Sequence, residues 1–314
     1  MAVGICANVS NQAGVMRQAS VYSPALGRRI DYQIYLPAGY EASRYPTLYL
    51  LHGRGDSMAA WTQAEADLDR LIATGAIPPV VVVLPDAPWA ARGSWYVDSH
   101  YTGEDFPGLP IETALTRDLV RHVDATYRTV DERWARVVGG YSMGGAGALR
   151  YVLAHQELFA AALVLSPAVY DPLPPRESSV RAYGAFGIGT RRFADDRYLQ
   201  LGYPALLPHV RPDLPVHVFL AVGDHEYVHP DPADASHDVA FEVAVLYHRL
   251  IRTAGVTADW RVLGGGHGWD VWRPAFAEGI ARLAAGARHM SVSSDRCQEA
   301  TRWTTWSCSN CSAR

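Results

Sequence analysis

The sequence predicts an α/β fold: a doubly wound, mainly parallel sheet with helices on both faces. Short, near-continuous apolar runs such as Val80–Leu84 and Ala161–Leu165 recur along the chain, as in strands covered on both faces. Longer segments with helical spacing, such as Ile111–Tyr127 and Ala235–Ala254, alternate with them. At 314 residues the chain is long enough to bury one sizeable core.

Taken in order, Val21–Ser23 and Ile30–Leu36 read as two strands around a Pro-Ala-Leu-Gly turn, the second supported by alternation in Tyr32-Gln33-Ile34-Tyr35-Leu36. Thr47–Leu51 is a buried strand running into His52-Gly53-Arg54-Gly55. Trp61–Thr74 has helical spacing and stops at Gly75. Val80–Leu84 is a β-branched run closed by Pro85-Asp86. After the Ile111–Tyr127 helix come the strand Arg136–Tyr141, a helix continuing to about His155, and the strand Ala161–Leu165. The strand Val216–Val222, the helix Ala235–Ala254, the strand Asp259–Leu263 and a helix Pro274–Ala285 complete the pattern. Residues 1–18 are expected to be a flexible N-terminal segment, and 19–286 a single α/β domain. Within it, 171–215, rich in Pro, Gly and Arg, reads as an irregular insertion or lid. Residues 287–314 turn polar, lose periodicity and are expected to be a disordered tail.

Composition excludes several functions. The net charge of −4 gives no electrostatic case for nucleic acid or an anionic membrane, and no apolar run approaches the ~20 residues of a bilayer span. All 28 basic residues are arginine, which excludes a Walker A lysine, a Schiff-base lysine and a Ser-Lys dyad. The start, Met1-Ala2-Val3-Gly4-Ile5-Cys6, lacks a basic stretch followed by a long apolar one. A cytoplasmic location is therefore expected, or a secreted one if the true start lies upstream. The cysteines, Cys6, Cys297, Cys308 and Cys311, avoid the body of the chain, so no disulfide framework holds the core. Cys308-Ser309-Asn310-Cys311 alone supplies two ligands, too few for a closed zinc site; Cys297 and a histidine such as His289 would complete a set, but a disordered tail is the favoured reading and no metal or other cofactor is expected.

The chemistry is concentrated at Gly140-Tyr141-Ser142-Met143-Gly144. This G-x-S-x-G follows a strand and precedes a small-residue helix, the context that forces a serine onto a tight elbow with its hydroxyl exposed. Serine needs a base, and the base an orienting acid. Candidates follow in the order acid, then histidine. His267, in Gly264-Gly265-Gly266-His267-Gly268-Trp269, sits where a flexible loop lets an imidazole reach back over the sheet. Gly223-Asp224-His225-Glu226 offers two acids: Glu226 is favoured, three residues past the glycine, and Asp224 is the alternative, suited to a turn or cap. The backbone N–H of Met143 and one from the His52-Gly53-Arg54 turn, that of Arg54, are the expected oxyanion donors.

These pieces resemble the esterase D-like family of α/β-hydrolases. That group includes feruloyl and acetylxylan esterases, siderophore esterases, S-formylglutathione hydrolase and mycolyltransferases. The resemblance rests on Leu50-Leu51-His52-Gly53, Gly140-Tyr141-Ser142-Met143-Gly144-Gly145, Gly223 to Glu226, and Gly266-His267-Gly268-Trp269, and covers about Ala19 to Ala285. It implies an α/β-hydrolase fold, a Ser142–Glu226–His267 triad and a small-molecule ester substrate. The glutamate departs from the aspartate that many members carry. On the substrate side the expected residues are His52, Trp95, Tyr96, Tyr170 and Trp269. Trp95 and Tyr96 either stack on the substrate or pack their loop, and Tyr170, Tyr183 and Phe186 either wall an acyl pocket or form the insertion's own core. Arg54 and Arg92 either read an anionic group or are solvated. The reading is a serine esterase. Its rivals are an acyltransferase or thioesterase on the same triad, and a non-catalytic protein on a hydrolase scaffold.

Overall fold

The computed structural model describes residues 13–89, 92–226 and 238–286. Its centre is an eight-stranded sheet in the order β1-β2-β4-β3-β6-β7-β9-β10. The strands are β1 (Val15–Ser23), β2 (Arg28–Leu36), β3 (Thr47–Leu51), β4 (Val81–Pro85), β6 (Arg136–Tyr141), β7 (Ala161–Leu165), β9 (Val216–Gly223) and β10 (Val256–Leu263). The β1–β2 and β2–β4 pairs are antiparallel and the rest parallel. Two short strands, β5 (His100–Tyr101) and β8 (Ile188–Gly189), pair apart from this sheet.

Alternation along each central strand splits the core in two. Tyr49, Leu51, Val81, Val83, Val164 and Leu220 face one layer, under the helices Val120–Thr126, Met143–Ala154 and Val239–Leu250. Leu48, Leu50, Val82, Leu84, Leu163 and Phe219 face the other, with Leu68 of the helix Glu65–Ala73 and Phe276 of the helix over residues 269–286. Both faces bury apolar side chains, which is why these strands read as unbroken Val/Leu runs.

Several expectations are corrected. The flexible segment was expected to reach residue 18, yet β1 begins at Val15 and pairs with β2 along its whole length, from Val15 opposite Leu36 to Ser23 opposite Arg28. Two-stranded antiparallel pairing draws residues 15–18 into the sheet although they lack a clean alternation. The helix expected from Trp61 is a 3-10 segment, Met58–Ala64, followed by Glu65–Ala73. The Ile111–Tyr127 helix carries a π-helical stretch, Ala114–Leu119. The final helix starts at residue 269 rather than Pro274, its first turn closed by Val271 and Trp272 N–H donating to the Gly268 carbonyl. The 171–215 stretch is no featureless loop. It holds the helices Asp195–Leu201 and Tyr203–Leu206 and the strand β8, and Phe186, Phe193 and Tyr198 form its aromatic centre. Expectations for residues 1–12 and for the 287–314 tail lie outside the described residues. Among the described residues no helix is long and apolar enough to cross a membrane.

Candidate active site

Ser142 stands at the end of β6 with φ 55° and ψ −121°, before the helix Met143–Ala154. Positive φ is costly for a non-glycine residue and persists only where the surroundings enforce it. Here Ser142 N–H donates to the Leu165 carbonyl at 2.9 Å, and the Ser142 carbonyl accepts from Ala146 and Ala168, both at 3.0 Å. The glycines permit the approach. A Cβ on Gly145 would lie 2.7 Å from the Leu165 carbonyl oxygen.

Parallel neighbours β3, β6, β7, β9 and β10 end on the same side, so the loops after them converge. His267 Nε2 lies 2.9 Å from Ser142 Oγ, and His267 Nδ1 lies 2.8 Å from Glu226 Oε2. The carboxylate on Nδ1 fixes the proton there, so Nε2 faces the hydroxyl as an acceptor. The Glu226 side chain is fully buried while that of His267 is 39% exposed. Glu226 Oε1 accepts from Ser166 Oγ at 2.5 Å and from Gly223 N–H at 2.7 Å.

The alternative acid is engaged elsewhere. Asp224 Oδ1 accepts from Gly265 N–H at 2.9 Å and lies 2.7 Å from His225 Nδ1. The Gly265 amide holds its carboxyl below the usual carboxylate range. Asp224 thus ties the β9 turn to the histidine loop, and Glu226 meets the histidine itself.

Met143 is the first residue of its helix, so its N–H belongs to the positive helix end. The Arg54 turn is braced rather than loose. Gly55 N–H donates to the Arg92 carbonyl, and the Arg92 guanidinium donates to the Asp56 carbonyl at 2.6 Å and to Asp86 at 2.8 Å. Arg92 is therefore a brace of this turn. The Arg54 guanidinium lies 6.0 Å over the Tyr183 ring.

Of the residues expected to face the substrate, His52 and Tyr96 are completely buried and support the turn from beneath. His52 Nε2 accepts from Ala87 N–H at 3.1 Å, which leaves Nδ1–H to donate to the Gly53 carbonyl at 2.8 Å. Burial holds this imidazole below its ordinary value. Tyr96 OH donates to the His52 carbonyl at 2.9 Å. Trp95 is also buried and stacks on Tyr183, ring centroids 6.5 Å apart. Trp95 and Tyr96 thus pack their loop onto the domain. Trp269 is half-buried in an aromatic cluster with Trp61, Tyr141 and Trp272, which carries the histidine loop. Tyr170 stays partly exposed and borders a cavity of about 40 Å³ with Trp95, Ala146, Ala168 and Tyr198. Phe186 meets Phe193 and Tyr198 within the insertion, joins the core under the helix Met143–Ala154 and lines the same cavity as Tyr170.

Sequence reading missed Ser166 and Trp272. Trp272 Nε1 donates to Ser166 Oγ at 2.9 Å, and its ring meets that of His267 edge-on at 5.1 Å. A serine at the end of a buried strand was the only available sign of the first.

The sheet order and the strand–elbow–helix at Ser142 define an α/β-hydrolase fold. Residues 23–283 match the Esterase family, described as "Putative esterase", and the chain belongs to that family. It is 30% identical over 192 residues to an endo-1,4-beta-xylanase/feruloyl esterase of Xylanibacter ruminicola, covering 57% of this chain and 25% of that protein. It is 33% identical over 142 residues to Esterase Rv1288 of Mycobacterium tuberculosis, covering 44% of this chain and 29% of that one. The chain thus spans under a third of the length of these curated relatives. A solved ferulic acid esterase shares the fold, with a TM-score of 0.68, 23% identity, and coverage of 87% of this chain and 98% of that structure.

Proposed function

We propose that the protein is a serine carboxylic ester hydrolase working through an acyl-enzyme. The observation that carries this is the unbroken line from Glu226 through His267 to Ser142, at 2.8 and 2.9 Å. Ser142 Oγ attacks the ester carbonyl as its proton passes to His267 Nε2. Buried Glu226 stabilises the imidazolium that forms. The oxyanion is met by the Met143 and Arg54 amides, each such donor contributing about 3–4 kcal/mol to transition-state stabilisation. His267 returns the proton to the leaving alcohol, then activates water to release the acid.

The substrate class we propose is an ester of a small or aromatic acid, of acetyl or feruloyl type. Membership of the Esterase family and the feruloyl esterase relatives support it. Steady-state rates on p-nitrophenyl acetate, methyl ferulate and S-formylglutathione test the reading. Ser142→Ala is expected to lower turnover of the first by about 10⁴-fold or more with an unchanged circular dichroism spectrum. Retained turnover in that variant overturns the reading, and preference for the thioester redirects the substrate class.

A further inference from the structure

We propose that Ser166 is the positioning residue that fixes which oxygen of Glu226 faces His267. This rests on the reading of Glu226 as the orienting acid. The Ser166 side chain is fully buried at the end of β7, 60 residues from Glu226 in sequence. Its hydroxyl has two neighbours, and their chemistry sets its direction. The indole N–H of Trp272 can only donate, so it occupies a lone pair of Ser166 Oγ at 2.9 Å. The hydroxyl proton is then directed at Glu226 Oε1, 2.5 Å away. With Gly223 N–H on the same oxygen at 2.7 Å, Oε1 carries two donors and Oε2 is left to His267 Nδ1.

A glutamate has one more rotatable bond than an aspartate, and each free torsion blurs the aim of the carboxylate. Two donors on one oxygen remove that freedom, and hydrogen bonds to a charged acceptor are the strong kind. The backbone supports the same conclusion. Ser166 is held at φ 41°, where glycine is the residue of least strain, with its N–H donating to the Ala221 carbonyl at 2.7 Å. Glycine would fit this backbone with less strain, and what serine adds in its place is the hydroxyl on Glu226. Trp272 adds a coupling, because one indole directs the Ser166 proton and also walls the His267 ring.

Ser166→Gly separates the hydroxyl from the fold, since it deletes Oγ and relieves the positive φ. With p-nitrophenyl acetate, kcat is expected to fall roughly 10–100-fold with KM within about twofold, in protein whose circular dichroism spectrum is unchanged. Ser166→Ala, which keeps the Cβ, is expected to lose kcat alike. If Ser166 acts through Glu226, the double variant Ser166→Gly/Glu226→Gln is no slower than Glu226→Gln alone. Wild-type kcat in Ser166→Gly, or losses that multiply in the double variant, overturns the proposal and leaves the triad standing. Wild-type kcat in Glu226→Gln overturns it together with the assignment of Glu226.

Discussion

Gly140 and Gly144 face each other across the Ser142 elbow so closely that a Cβ on Gly140 would lie 2.3 Å from the Gly144 carbonyl oxygen. A Cβ on Gly144 would in turn lie 2.2 Å from the Leu51 carbonyl oxygen of β3. Both clashes are with backbone, which cannot swing aside as a side chain can. The two glycines therefore set how near β6, the helix Met143–Ala154 and the turn after β3 approach one another.

Gly144→Ala should accordingly destabilise the protein at or above the upper end of the roughly 1–3 kcal/mol usual for overpacking. Gly264→Ala, whose new Cβ meets nothing within 4 Å, should leave the thermal midpoint nearly unchanged. Differential scanning calorimetry of both variants checks this. Equal midpoints would show that the elbow tolerates the extra carbon.

The two acids of the β9 turn should separate sharply. Glu226→Gln keeps the shape but loses the charge that holds the Nδ1 tautomer of His267, and a loss of kcat on the order of 10³–10⁴-fold is expected. Asp224→Asn retains an oxygen for Gly265 N–H and should cost less than about tenfold. The reverse ranking in steady-state kinetics would make Asp224 the orienting acid.

Glu242 predicts a pH dependence of stability. Its carboxyl is buried on the helix Val239–Leu250 and accepts from Asp171 N–H at 3.3 Å. Burial pushes it from 4.5 up to about 7, Asp171 adding repulsion and Arg249 opposing it. The folded state therefore holds this proton more tightly than the unfolded chain. Its contribution is full below pH 4.5 and is lost as pH rises through about 7. Glu242→Gln removes the titration. Relative to wild type, the variant should gain about 1–3 kcal/mol between pH 5 and pH 8 in urea unfolding. A difference that stays constant with pH would contradict this.

Much of the fold was legible because burial on both faces writes strands as unbroken apolar runs, as in Ala161–Leu165. Ser142 and His267 were legible because strained or reaching loops need glycines at fixed places. The start of β1 was not, since Val15-Met16-Arg17-Gln18 lies in the edge strand of the sheet and has no clean period. The insertion hid its structure in helices of seven and four residues, too short to show a repeat. His52 and Tyr96 were given to the substrate because a motif names a neighbourhood and not a facing direction. Their burial beneath the Arg54 turn comes from contacts such as Tyr96 OH to the His52 carbonyl, 44 residues apart. Ser166 was hidden for the same reason: its partner Trp272 is 106 residues away.

The central claim is that Ser142 is the nucleophile activated by His267. Peptide mapping by mass spectrometry after treatment with a fluorophosphonate tests it most directly. A single phosphonyl adduct on Ser142, formed in step with loss of esterase activity and absent from Ser142→Ala, is the predicted result. An adduct on another residue, or full activity in protein stoichiometrically modified at Ser142, would contradict it.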